Sequence, residues 1–139
     1  MKIILKKIND MEIDIPKGIE NQLTKTVLDS DSASNCGSGL LPVFATPALV
    51  AFMEQTALTS IEHLLPEGLT TVGAEINVKH LKATPLGMQV RCHSKLVESD
   101  GRRLVFNIEA YDEVAKIGEA VHIRYIVDSK RFMDKLGKK

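Results

Sequence analysis

The chain has 139 residues, enough for one domain with a core of its own. Hydrophobic residues make up 44% and charged residues 26%, and 18 basic side chains balance 18 acidic ones, so bulk charge offers no hold for nucleic acid or an anionic membrane. The 2 cysteines, Cys36 and Cys92, lie far apart without CxxC spacing, which argues against a disulfide framework or a zinc site.

The opening stretch MKIILKKINDMEIDIP has a short apolar start and then charges, with no signal-peptide core. No apolar run approaches the roughly 20 residues that span a bilayer. The expected protein is soluble and cytoplasmic. Residues 1–20 are mixed and expected to be peripheral, and Gln22–Leu28 alternates weakly, as a strand does. Asp29–Gly39, DSDSASNCGSG, is built from turn-forming residues and reads as a loop, long enough to be a mobile lid.

Thr46-Pro47 is a helix-start signal, an N-cap hydroxyl followed by proline at the first helical position. The helix is expected over about 47–65, stopped by Pro66-Glu67-Gly68. Its first half is apolar all round, which marks a buried helix. One carboxylate, Glu54, interrupts it. At 100° per residue, Glu54 lies within about 60° of Val50, Ala51, Ala57, Leu58 and Ile61, the most apolar side. Glu54 is therefore expected to point toward the core or a partly buried pocket, where an ionised carboxylate needs a partner or a task. It either bridges backbone groups, is neutralised at a subunit interface, or belongs to a site.

After Gly68 the period changes to two. Val72, Ala74, Ile76, Val78 and His80 share one inward parity. Met88, Val90, Cys92 and Leu96 follow, then Leu104, Phe106, Ile108 and Ala110 after the Asp100-Gly101 hairpin signal. Ile117–Val127 forms a last strand after the turn at 112–116, and a short polar helix or tail ends the chain. The expected architecture is α+β: four consecutive strands in an antiparallel meander, curved around one long central helix, in a single domain over 1–139.

Of the 4 histidines, His80 alone falls on an apolar parity; His93 and His122 fall on polar parities, and His63 lies near the helix end. No pair has metal-ligand spacing, so neither a metal nor a cofactor is expected. An inward His80, an inward Glu54 and a helix-start Thr46 make a set suited to acid–base and nucleophilic chemistry. Each has an ordinary structural reading as well: a satisfied core histidine, a bridging acid, a helix cap. The helix N-terminus adds a positive dipole end suited to a developing oxyanion.

FATPALVAFMEQTA, VGAEINVKHLKATPLGMQV, GRRLVFNIEAYD and IGEAVHIRYIV, in this order from about Phe44 to Val127, resemble the fluoroacetyl-CoA thioesterase family of hot-dog-fold thioesterases. The resemblance implies a hot-dog fold and a homodimer, possibly of higher order, with acyl-CoA sites between subunits. It matches Thr46, Glu54 and His80 to the family's catalytic threonine, glutamate and histidine. It matches Gly73 to a glycine whose N–H lies near the acyl group, and Arg124 to an arginine of the acyl pocket. Thr46, or a water it positions, then attacks the thioester; His80 moves protons and polarises the acyl group; Glu54 orients and charges the site, as nucleophile or base.

The lid-like loop is expected over about 29–41, and Leu40, Leu41 and Phe44 are expected to contact the substrate. Leu40 and Leu41 stand where the family's best-known member has an aromatic lid residue, and Pro47 where it has glycine. These differences point to short-chain acyl-CoA hydrolysis rather than fluoroacetyl selectivity. The alternative is a non-catalytic acyl-CoA-binding module of the same fold.

Overall fold

The computed structural model describes residues 13–139. In chain order it contains β1 (Glu20–Thr26), a 3-10 turn (Asp29–Asp31), α1 (Ala33–Cys36), α2 (Thr46–Ile61), a second 3-10 turn (Glu62–Leu64), β2 (Leu69–His80), β3 (Gln89–Ser99), β4 (Arg103–Tyr111), β5 (Lys116–Asp128) and α3 (Ser129–Leu136). The five strands form one antiparallel sheet in the order β1-β3-β4-β5-β2. Helix α2 lies against one face of it, packed on β1, β2, β3 and β4.

The meander expected from sequence is correct for β3, β4 and β5 only. Gly101, at φ +77°, closes the first hairpin. The Asp112 carboxylate closes the second by accepting from the Val114 and Ala115 N–H groups. β2, however, is not paired with β3. Residues 81–88 cross over, and β2 pairs with β5 at the far edge. Backbone bonds anchor the crossover: the Phe44 N–H donates to the Thr84 carbonyl at 2.9 Å, and the Gly87 N–H to the Val27 carbonyl at 2.8 Å. Period-two alternation reports which face a side chain takes and says nothing of which strand lies alongside.

The core sits between α2 and the sheet. Leu49, Met53, Ala57 and Ile61 of α2 meet Leu96, Phe106, Ile108 and Ile126 of the strands, all essentially without solvent contact. Burying each large apolar side chain contributes about 1.5–3 kcal/mol. Ile13 and Ile15 join this core, so the stretch expected to be peripheral is partly internal; its residues 1–12 lie outside the described ones.

The α-helix ends at Ile61, and the expected run to about 65 is completed by the tighter 3-10 turn. The region expected to be a mobile loop is tied down. Ser32, fully buried, caps α1 by accepting from the Asn35 N–H. Asp31 accepts a hydrogen bond from Lys25 Nζ at 2.8 Å, and its carbonyl accepts from the Ala45 N–H. No helix among the described residues is long and apolar enough to cross a membrane.

Candidate active site

Thr46 does not cap its own helix. Ala45 is the N-cap and makes no side-chain cap bond, so Thr46 and Pro47 occupy the first two helical positions. The Thr46 hydroxyl is thereby free, and its Oγ1 lies 2.8 Å from His80 Nδ1. His80 reaches it from the last residue of β2. The ring's other nitrogen, Nε2, is shielded from solvent and has no hydrogen-bond partner among the described residues. Burial holds the imidazole below the usual histidine range, with the nearby Lys82 backbone acting in the opposite direction. Both side chains line a cavity of about 290 Å³, walled also by Ala33, Ser38, Phe44 and Leu81.

Glu54, Gly73 and Arg124 form a second cluster. Arg124 is buried on β5, and its guanidinium donates through Nε to Thr71 Oγ1 at 2.8 Å and through Nη2 to the Thr71 carbonyl at 3.1 Å. Its Nη1 lies 3.6 Å from Glu54 Oε2. A Cβ at Gly73 would fall 2.8 Å from Glu54 Oε2 and 3.3 Å from Arg124 Nη1, so only glycine leaves this approach open.

Of two expectations about direction, the structure settles one between its alternatives and corrects the other. The buried side of α2 is Leu49, Phe52, Met53, Thr56, Ala57, Ser60 and Ile61. Its centre lies about 120° from Glu54 on a helical wheel. Glu54 is therefore on a flank, with its side chain 39% exposed while Arg124's is 6% exposed. The most apolar side of a helix in sequence need not face the protomer's own core.

Likewise β2 carries a bulge. Gly73 pairs with Arg124 and Glu75 with Ile123, leaving Ala74 as the extra residue. Parity flips there, so Leu69 and Thr71 are buried in the first half of β2, in place of the expected Val72 and Ala74. Ile76, Val78 and His80 keep the expected parity in the second half.

The clusters stand apart. Thr46 and Glu54 are eight residues apart on one helix, a rise of about 12 Å. Gly73 and His80 are seven apart on one strand, about 20 Å. Of the remaining sequence candidates, Leu40 and Leu41 are exposed, Leu40 at 93%, whereas Phe44 is buried and reaches the cavity wall.

His93 pairs with Glu20 at 2.9 Å and His63 is exposed; neither joins the clusters. His122 does. Placed on a polar parity by sequence, it is 1% exposed, with Nδ1 2.8 Å from the Glu75 carbonyl and Nε2 3.1 Å from Arg124 Nη1. Val121, Ile123, Tyr125 and Val127 made the other face of β5 look more apolar. The available signal was Arg124 itself: a strand that turns Arg124 inward turns His122 inward too. Thr71 was missed because the bulge hid its parity. Among the described residues no three His, Cys, Asp or Glu side chains are grouped to hold a metal ion.

One long helix on a five-stranded antiparallel sheet is the arrangement of the hot-dog fold, and the solved structures it resembles are thioesterases, a class of thioester hydrolases. The family described as fluoroacetyl-CoA-specific thioesterase matches residues 27–130, and the chain belongs to it. A fluoroacetyl-CoA thioesterase from Streptantibioticus cattleyicolor is 34% identical over 97 residues, 70% of each chain. A solved structure of a fluoroacetyl-CoA thioesterase superposes with a TM-score of 0.86 at 27% identity, covering 91% of this chain and 98% of that one. A thioesterase-superfamily protein from Thermus thermophilus gives 0.82 at 26% identity, covering 90% and 93%.

Proposed function

We propose that two copies of this chain form a cytoplasmic homodimer that hydrolyses short-chain acyl-CoA thioesters, each site built from both copies. The observation that carries the reading is the Thr46–His80 pair in its cavity, with His80 Nε2 buried and unpartnered. An imidazole whose Nδ1 accepts from the Thr46 hydroxyl presents Nε2–H as a donor. That proton is left for a thioester carbonyl oxygen admitted to the cavity, and the helix N-terminus adds its dipole. Thr46, or a water held by it, attacks the carbonyl carbon. His80 accepts the nucleophile's proton at Nδ1, and the tetrahedral intermediate collapses by expelling the CoA thiolate.

Glu54 and Arg124 complete the site from the other copy. β2 is a 12-residue edge strand whose second edge has no partner among the described residues, a template for pairing. Antiparallel pairing of two β2 strands about an axis between Ile76 and Asn77 sets Gly73 opposite the partner subunit's His80. This joins the two separate clusters at each end of the paired strands. The Glu54 carboxylate then faces the reacting centre, oriented by Arg124, and serves there as the base or nucleophile that completes hydrolysis. The segment over 29–41 lies over the cavity as a lid, with Leu40 and Leu41 available to cover an acyl group. The free cysteines, Cys36 and Cys92, fit a reducing compartment.

The test is a panel of acetyl, fluoroacetyl, propionyl, longer-chain and aromatic acyl-CoA substrates, scored for free-thiol release. His80→Ala and Glu54→Gln each lower turnover at least ~100-fold, the usual scale for an acid–base group. Wild-type-like turnover in both variants would sink the assignment; acyl-CoA binding without thiol release would establish a binding module in its place.

A further inference from the structure

His122 has no part in the reaction described above, yet it is among the most buried polar groups of the chain. It sits on β5 two residues before Arg124 and is bonded at both ring nitrogens. A carbonyl oxygen can only accept, so the Glu75 carbonyl requires a proton on Nδ1. A guanidinium can only donate, so Arg124 Nη1 requires a lone pair on Nε2. One state meets both demands: the neutral imidazole with its proton on Nδ1. The Ala74 bulge makes this possible, because it interrupts the β2–β5 ladder next to Glu75.

The guanidinium is consequently gripped on both sides. Thr71 holds its Nε–Nη2 edge through a hydroxyl and a carbonyl, and His122 holds Nη1, the nitrogen that faces Glu54. The groups around the imidazole are Arg124 on its own strand, the Glu54 carboxylate from α2, the Glu75 carbonyl from β2 and the Phe106 ring from β4, 6.3 Å away between centroids. Burial, assisted by the Arg124 charge, keeps the ring below the usual histidine range, with the Glu75 bond and Glu54 opposing.

We propose that His122 is a positioning residue: as a tautomer-locked neutral acceptor it fixes the Arg124 guanidinium against Glu54 and beside Gly73. The proposal rests on the thioesterase reading for its kinetic consequence, but its geometric content stands independently. Without the acceptor, Nη1 loses its anchor and the guanidinium swings about the Thr71 contacts. The Glu54 carboxylate, already half-exposed, then loses its fixed partner.

The test compares three variants. His122→Phe keeps the ring against Phe106 but offers neither donor nor acceptor. His122→Asn keeps a donor near Nδ1 and removes the acceptor. His122→Gln places a carbonyl oxygen near Nε2. The expected result is a loss of roughly 10-fold or more in kcat/KM for Phe and Asn, the scale of one charge-assisted hydrogen bond. Gln recovers most of it. Gln falling as far as Phe, or Phe matching wild type, overturns the proposal.

Where a variant fails to fold, nitrogen NMR of the wild-type imidazole decides: a neutral ring protonated on Nδ1 supports the proposal, and a cation or a proton on Nε2 overturns it. Absence of thiol release by the wild type on every acyl-CoA overturns the functional reading alone. The tautomer, and the guanidinium position in a His122→Phe crystal structure, still decide the positioning role. A guanidinium unmoved in that crystal refutes it.

Discussion

Two clusters that cannot meet within one protomer make a quantitative prediction about mixtures. Take two variants, His80→Ala and Glu54→Gln. As a homodimer, each has both sites broken. In a mixed dimer, one site receives Glu54 from the first chain and His80 from the second, and is intact. The other site receives both lesions. A purified heterodimer therefore has one working site of two, roughly half the wild-type activity per dimer, because a two-fold interface repeats the same contacts twice. Random association gives half heterodimers, so an unpurified mixture recovers roughly one quarter.

The geometry behind this is the rise of about 12 Å between Thr46 and Glu54 and the separation of about 20 Å between Gly73 and His80. Co-expression with two affinity tags, followed by a free-thiol assay on an active acyl-CoA, measures it. Activity in the mixture no greater than the two parents alone refutes the composite site. It would mean that each chain uses its own Glu54 and His80, or that the chains do not pair.

Other perturbations follow from single contacts. Gly73→Ala places a Cβ 2.8 Å from Glu54 Oε2, and a flexible carboxylate yields more readily than backbone; turnover drops ~10-fold or more while the melting temperature barely moves, and unchanged kcat refutes the contact. Gly118→Ala meets Leu49 Cδ2 at 3.0 Å and the Lys79 carbonyl at 3.2 Å, where backbone cannot give way, so urea denaturation registers a loss of about 1–3 kcal/mol. His80 acts as a base only when neutral, and burial lowers its pKa from 6.5, so the acid limb of kcat/KM is centred below 6.5; an acid limb centred above 6.5 contradicts this. The same burial bears on stability. The unfolded chain binds protons at His80 and His122 near 6.5 while the folded chain does not until lower pH, so denaturation free energy declines as pH falls below 6.5, read from urea midpoints at pH 7 and pH 5.

The fold was legible wherever a local rule decides it. Pro47 and the apolar run marked α2, Asp100-Gly101 marked one hairpin, and period two marked the strands. The misses share a cause: each depended on what lies across from a residue. The crossover that places β2 beside β5 is a pairing choice, made where Phe44 and Val27 bind the 81–88 segment. The ordering of 29–41 depends on Asp31, whose partners are Lys25 on β1 and the Ala45 N–H at the start of α2. A turn-rich composition is equally compatible with a mobile loop and a bonded one.

The site was legible in its members more than in its assembly. Glu54 drew notice because it interrupts an apolar helix, and that oddity has a meaning different from the first one. Side chains around it, Val50, Ala51 and Leu58, are apolar but half-exposed or exposed in the protomer, and their hydrophobicity fits the face that the proposed second copy would cover. β5 repeats the lesson in reverse, since His122 and Arg124 lie inside while Val121 and Tyr125 lie outside. Apolar periodicity identifies the faces that avoid water in the final assembly; polar residues face inward where they serve one another. A helix whose apolar side misses its own core, and a strand whose polar side enters it, together mark where the proposed second copy would complete the site. Glu54, His122 and Arg124 meet at that point.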